Sequence, residues 1–200
     1  MNPWDKRFSS DEYFFGTKPA EALIKLAHHL IPDGDTLVVA DGEGRNSVYL
    51  ASKGFDVTAT DFSEAGLSKA RKLAVMQGVT VNYQAQDIYD MDWSEKQYDN
   101  VVAIFIQFVP PEKMRSVLRG LKEATKVGGT LVLHGYTPEQ VRLGTGGPSN
   151  PDHMYTKVML NDVYSDMSIL INEEYQIVIT EGKGHRGMSA LIDYVGKNSI

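Results

Sequence analysis

Residues Thr36 to Asn46 read TLVVADGEGRN, and this stretch decides the fold. Thr36 to Ala40 is a short, almost continuous apolar run rich in Val, as a strand covered on both faces requires, because such a strand has no solvent side to keep polar. The run stops at Asp41-Gly42-Glu43-Gly44, where glycines let the backbone turn tightly or approach a ligand closely. Asn46 to Lys53 then reads as a helix that Gly54 ends. Strand, glycine turn and helix form the first half of a βαβ unit, and helical crossovers force neighbouring strands to run parallel.

The unit recurs downstream. Asp56 to Thr60 is a β-branched strand closing at Asp61, Ser63 is the N-cap of a helix carrying Leu67, Ala70, Leu73 and Ala74, and Gly78 is its C-cap. Val79 to Ala85 is a third strand ending near Asp87, and Asp99 to Phe105 a fourth. Pro110-Pro111 opens a helix with Met114, Val117, Leu118 and Leu121 on one face, and Gly128-Gly129 feeds a fifth strand, Thr130 to Leu133. Upstream, Leu23, Leu26, Ala27 and Leu30 make a helical stripe behind an aromatic leader of Trp4, Phe8, Tyr13, Phe14 and Phe15.

After the fifth strand the pattern changes. Gly135 to Asp152 is rich in turn formers and reads as a long functional loop or lid. A weak helix near Tyr155 to Met167 follows. Tyr175 to Thr180 and Met188 to Val195 are β-rich runs separated only by Glu181 to Gly187, too few residues for a crossover helix, so they pair as an antiparallel hairpin at the sheet edge. The expectation is an α/β, Rossmann-like, doubly wound sheet in a single domain over residues 1–200. Its parts are a leader and helix in 1–30, a cofactor-binding core in 31–134, and a substrate lid with the C-terminal hairpin in 135–200.

Composition narrows the function. Against 26 Asp+Glu the 20 Lys+Arg leave a formal net charge of −6, and the cations sit at helical spacing among acids. That argues against a nucleic-acid partner, whose phosphates demand clustered positive charge. The chain has no cysteine, which removes disulfides, thiolate metal sites and a Cys nucleophile together. No stretch approaches the ~18 apolar residues of a membrane span, and Met1 to Trp4 runs straight into Asp5, Lys6 and Arg7. A cytoplasmic protein, monomer or homodimer, with no membrane partner is expected.

In an open parallel sheet, ligands bind beyond the carboxyl ends of the strands. There the Asp41 to Asn46 turn leads into a helix N-terminus, Asp61 can accept from ribose hydroxyls, and Asp87 can accept from the amine of adenine. Two cofactors compete for such a site. A dinucleotide wants a third glycine where Ser47 stands, and its diphosphate would face Asp41 and Glu43. Carboxylates suit S-adenosylmethionine better, since its ammonium and sulfonium are cationic. A nicotinamide-dependent reductase and a non-catalytic cofactor-binding module are the rival readings. No metal centre is expected, because adjacent His28 and His29 should diverge by about 100° on a helix.

The order LVVADGEGRN, VTATD, QAQDI, YDNVVAIF and KVGGTLVL resembles the motif series of class I S-adenosylmethionine-dependent methyltransferases. In that class the sheet has seven strands with the last one antiparallel. More narrowly, WDKRF with YFFGTKP, GEGRNSVYLA, YTPEQ, GTGGP and EGKGHRGMSAL are similar to small methyltransferases related to the tellurite-resistance protein B family. The resemblance implies in-line methyl transfer, releasing S-adenosylhomocysteine, to a small acceptor with a soft S, Se or Te nucleophile. The chain departs from the class at Val38, where an acidic residue is usual, at Asn46 in place of a third glycine, and at Val127 in place of a proline. Whether Asp41 takes over the contact missing at Val38 stays open at this point.

From the resemblance and the spacing, Gly42, Glu43, Gly44, Arg45 and Asn46 cradle the methionine end, Asp61 holds the ribose and Phe62 flanks adenine. Asp87 and Ile88 read its edge, Phe105 and Ile106 line the transfer channel, and Tyr13 folds over the donor. On the acceptor side stand His185 and Arg186 in the hairpin turn, with Tyr136 and Gln107 at strand ends.

Overall fold

Along β1 (Asp35–Val39) the side chains of Leu37 and Val39 enter one buried cluster and Val38 the other, so the strand is covered on both faces, as its apolar run demands. The computed structural model describes residues 2–199. It continues with β2 (Asp56–Asp61), β3 (Asn82–Ala85), β4 (Tyr98–Ile104), β5 (Thr125–Tyr136), β6 (Met167–Glu181) and β7 (His185–Asn198). They form one seven-stranded sheet in the order β3-β2-β1-β4-β5-β7-β6. The pairs from β3 to β5 are parallel, and β7 runs antiparallel to both β5 and β6. The terminal hairpin expected from the sequence is present.

Helices cover both faces. α1 (Pro3–Phe8) opens the leader, and α2 (Glu21–Leu26) and α3 (Arg45–Ser52) lie on the Val38 side, where Leu23, Leu26 and Leu50 meet Val57 and Val102. α4 (Glu64–Gln77) packs on α3 through Val48, Leu73 and Ala74. α5 (Pro111–Glu123) covers the other face with Val117, Leu118 and Leu121, joined by α7 (Lys157–Val163), while a short α6 (Gln140–Leu143) follows β5. Ser63 caps α4 by accepting from the Gly66 amide, and Gly78 ends it in the left-handed region, both as read from the sequence.

Several elements differ from the sequence reading, each for a physical reason. β5 begins five residues early, at Thr125, and its register with β4 shifts between Tyr98 and Asn100. Gly128, at φ +82°, lets the strand bulge there. β6 and β7 are far longer than their apolar runs, 15 and 14 residues, because β6 is an edge strand and tolerates the polar Asn172-Glu173-Glu174 on its open side. The stretch 135–152 is not a free loop: it contains the end of β5, α6 and a tight helical turn at Pro151–His153. The buried Gln140 side chain pins it, donating to Thr145 Oγ1 (3.0 Å) and the Gly146 carbonyl (3.1 Å) and accepting from the Ala190 amide (2.8 Å). His28 and His29 do not diverge, since they lie in a tight turn that brings their ring centroids to 4.0 Å.

Two non-glycine residues at strand ends adopt positive φ, Ala40 at +51° and Phe105 at +56°. A side chain there costs about 1–2 kcal/mol. Ala40→Gly should therefore raise the urea-unfolding free energy by about 0.5–1 kcal/mol. Gly44→Ala should lower it by about 2–4 kcal/mol, from strain and overpacking together. Gly44 sits at φ +91°, and an added Cβ would lie 2.7 Å from the Cα of Ala70.

Candidate functional site

β1 and β4 are neighbours, and the positive φ at Ala40 and Phe105 turns the chain sharply where each strand ends. A cavity of about 620 Å³ opens over these ends. Its walls come from the leader, from the turns after β1, β2 and β3, and from the loop between β5 and the hairpin.

One end of the cavity is acidic. Asp41 is buried, and its carboxylate accepts from both the amide and the hydroxyl of Ser47. Ser47 thus fills the place of a third glycine with a residue that ties the turn to α3. Asp61 accepts from the Gly42 amide (2.8 Å) and the Ser63 amide (2.8 Å), one on each oxygen, and so joins the turn after β1 to the cap of α4. Desolvation pushes the Asp41 carboxyl up to about 6 and raises Asp61 as well, against the pull of these hydrogen bonds. Among the described residues neither carboxylate has a cation within ion-pair distance.

The other end is aromatic and holds His185. The imidazole lies between two rings, stacked on Phe105 at 4.0 Å and 19° and on Phe15 at 4.6 Å and 20°. Its Nδ1 is 2.7 Å from the Tyr136 hydroxyl. Burial, reinforced by the charge of Arg45, pushes the His185 ring down to about 3, so it is neutral at physiological pH. Burial likewise raises the Tyr136 phenol, which stays protonated. With both groups neutral, one donates to the other across this contact, so the tautomer of the ring is coupled to the orientation of the Tyr136 hydroxyl. Arg45, at the start of α3, reaches across to Glu181 at the end of β6 in a buried 2.7 Å ion pair, and Glu181 also accepts from the Glu21 amide.

Gly42, Arg45 and Asn46, Asp61 and Phe62, Ile88 and Phe105 all line this cavity, as do Gln107, Tyr136 and His185. Gln107 is consumed structurally, its amide exchanging two hydrogen bonds with the Tyr136 backbone (2.5 and 2.7 Å). Other expected residues do not reach the cavity. Glu43 turns away toward Lys69 and the leader, and Gly44 is pressed against Ala70. Asp87 accepts from the Tyr89 amide, and Gln86 takes its place on the wall. Ile106 is fully buried in the core on the α5 side. Tyr13 donates to the Lys69 carbonyl and packs by α4, leaving Phe14 and Phe15 on the wall. His185 and Arg186 belong to β7 rather than to the turn, and strand alternation that points His185 inward leaves Arg186 exposed.

Some wall residues were not singled out from the sequence. Arg7 stacks over Trp4 (4.7 Å) and Phe14 (5.1 Å) at the rim, and Lys183, Asn150 and His153 line it from the far side. The aromatic density of the leader was the only signal for Arg7. Nothing local to Asn150 or His153 marks them, since only the fold of the loop brings them in.

The family model described as a methyltransferase domain matches residues 37–129. The curated protein "Probable S-adenosyl-L-methionine-dependent methyltransferase TehB" of Haemophilus influenzae is 28% identical over 123 residues, 60% of this chain and 43% of that one. The chain thus spans less than half the length of this curated relative. The crystal structure of TehB from Haemophilus influenzae superposes with a TM-score of 0.71 at 20% identity, covering 98% of this chain and 65% of that one. Magnesium protoporphyrin IX methyltransferase from Synechocystis, solved with bound S-adenosylmethionine, gives a TM-score of 0.63 at 17% identity over 87% of this chain and 75% of that one. The motif series from Leu37 to Leu133, the seven-stranded topology and these likenesses agree: residues 37–129 match a methyltransferase domain, and the chain resembles the class I S-adenosylmethionine-dependent methyltransferases, TehB among them.

Proposed function

We propose that the protein moves a methyl group from S-adenosylmethionine to a small acceptor with a soft S, Se or Te nucleophile. In this reading the donor occupies the Asp41–Asp61 end of the cavity and the acceptor the His185 end. The observation that carries it is the pair of buried carboxylates without a cation partner among the described residues. Such a wall repels a diphosphate and attracts a ligand that brings its own positive charge. Bound there, S-adenosylmethionine supplies a methyl group already activated on a cationic sulfur. The protein's task is therefore to align two reactants and keep water out.

Within this reading the roles fall as follows. Gly42 and Asn46 face the methionine end, with Asp41 toward its ammonium in place of the acid missing at Val38. Asp61 holds the ribose, while Phe62 and Ile88 flank adenine and Gln86 meets its edge. Phe105 forms the floor of the transfer channel. Tyr136 fixes the His185 tautomer, and His185 offers Nε2–H to the acceptor. Arg7 at the rim favours an anionic acceptor such as an oxyanion or a thiolate, which needs little help from a general base, whereas the Lys183 ammonium is paired with Glu12. The likeness to TehB supports a chalcogen acceptor. Monomer or homodimer, cytoplasmic placement, and the division into leader, donor core and acceptor lid belong to the same proposal.

Calorimetry with S-adenosylhomocysteine and with NAD and NADP tests the assignment. Saturation by the first alone is expected, with a gain of about 2.7 kcal/mol in stability at 100 times its dissociation constant. Binding of a pyridine nucleotide without the homocysteine compound would overturn it.

Affinity should also depend on pH. The Asp41 carboxyl is raised, so the folded protein keeps a proton that the unfolded chain has lost between about pH 4 and pH 6. Empty protein therefore loses stability as pH rises through that window, and affinity for the cationic ligand rises across it. Asp41→Asn should flatten that rise in calorimetry at pH 5 and 7.5.

Asp61→Ala should weaken S-adenosylhomocysteine binding at least tenfold. His185→Ala should lower turnover on tellurite, selenite or a small thiol while leaving that binding within about threefold. Parent-level turnover would return His185 to a packing role.

A further inference from the structure

Glu43 sits in the glycine turn but faces away from the cavity, and it is 2% exposed. Its Oε2 accepts from the Phe14 amide (2.8 Å) and the Phe15 amide (3.3 Å), while Lys69 Nζ lies 2.5 Å from Oε1. The same ammonium donates to the carbonyls of Ser10 (2.9 Å) and Glu12 (2.6 Å). One buried ion pair thus holds the leader backbone at four points.

The leader is gripped from the other side by the hairpin. Lys183 donates its amide to the Phe14 carbonyl (2.8 Å). A side chain at Gly182 would collide with the Phe14–Phe15 backbone, and one at Gly184 with the Phe15 ring. Squeezed between Glu43 and these glycines, the leader has one way to lie, and it seats the Phe15 ring flat on His185.

We infer that Glu43 is a positioning residue for the acceptor wall, acting through Phe15 to hold the His185 ring in place and away from water. The inference rests on the proposed reading of His185 as the group that faces the acceptor. It also explains why a residue of the donor turn carries a carboxylate that the donor does not touch: the turn that holds one substrate builds the wall for the other.

The test is the imidazole titration of His185, followed by nuclear magnetic resonance on labelled full-length protein, beside calorimetry with S-adenosylhomocysteine. The groups facing this ring are Tyr136, Arg45, His134 and Arg7, and none of them is substituted in the variants. In Glu43→Ala the midpoint should rise by at least one pH unit as water reaches the ring, with S-adenosylhomocysteine affinity within about threefold of the parent. Glu43→Gln, which keeps an acceptor for the two amides, should restore most of the parent midpoint. Phe15→Leu should reproduce the rise with Glu43 intact, so the idea stays open to refutation even if Glu43→Ala fails to fold. An unchanged His185 midpoint in Glu43→Ala or Phe15→Leu overturns the proposal, and so does a large loss of S-adenosylhomocysteine affinity with the ring unmoved. A parent protein that does not bind S-adenosylhomocysteine removes the methyl-transfer reading instead, and the ring titration still decides the role of Glu43.

Discussion

The turn after β1 buries two carboxylates, Asp41 and Glu43, against a third, Asp61, and the site depends on how each of these charges is met. Burying an ionised group is costly unless hydrogen bonds or a counter-charge compensate it. Asp61 is met by two backbone amides and thereby locks two turns together. Glu43 is met by an ammonium and two amides and thereby locks the leader down. Among the described residues Asp41 is met only by Ser47, and its remaining demand faces the cavity. One short segment so divides its charges between the scaffold and the cavity wall.

The aromatic end follows a different logic. Phe105 leaves β4 in a strained conformation, and such strain persists only where surrounding packing imposes it. Here the constraint comes from a stack of three rings, Phe15, His185 and Phe105, each contributed by a different part of the chain. The Arg45–Glu181 pair ties α3 to the end of β6, so the hairpin that supplies His185 is anchored to the same turn that shapes the acidic end. The two ends of the cavity are mechanically one unit. Beneath them the buried Asp193 carboxylate gathers His134, Tyr175 and Lys25, closing the sheet between β5, β7 and β6 and fixing the floor on which Phe105 rests.

The architecture was legible because its signals are local and repeated. Apolar runs bounded by Gly, Asp and Pro mark strands, the caps at Ser63 and Gly78 mark α4, and a seven-residue gap without room for a helix marks the hairpin. The lengths of β6 and β7 were not legible, because an edge strand carries polar residues that break the apolar pattern, and Gln140 gives no sign in sequence that it will order the loop before Pro151. In the site, residues that follow strands directly were found, since the end of a parallel strand points them at one surface. The failures share a cause. Glu43, Asp87, Ile106 and Arg186 each adjoin a residue that does line the cavity, and one step along a strand or turn reverses the direction of a side chain.

The sequence by itself determined the class of fold, the glycine turn with its acids, and the kind of ligand such a turn accepts, because periodicity and charge are properties of neighbouring residues. Tertiary structure alone decided which carboxylates face the cavity and which is turned to the scaffold, and it alone brought Phe15, Phe105 and His185 into one stack. Those choices hang on contacts between segments far apart in the chain, where the partner that satisfies a buried charge or covers a ring is set by packing rather than by spacing.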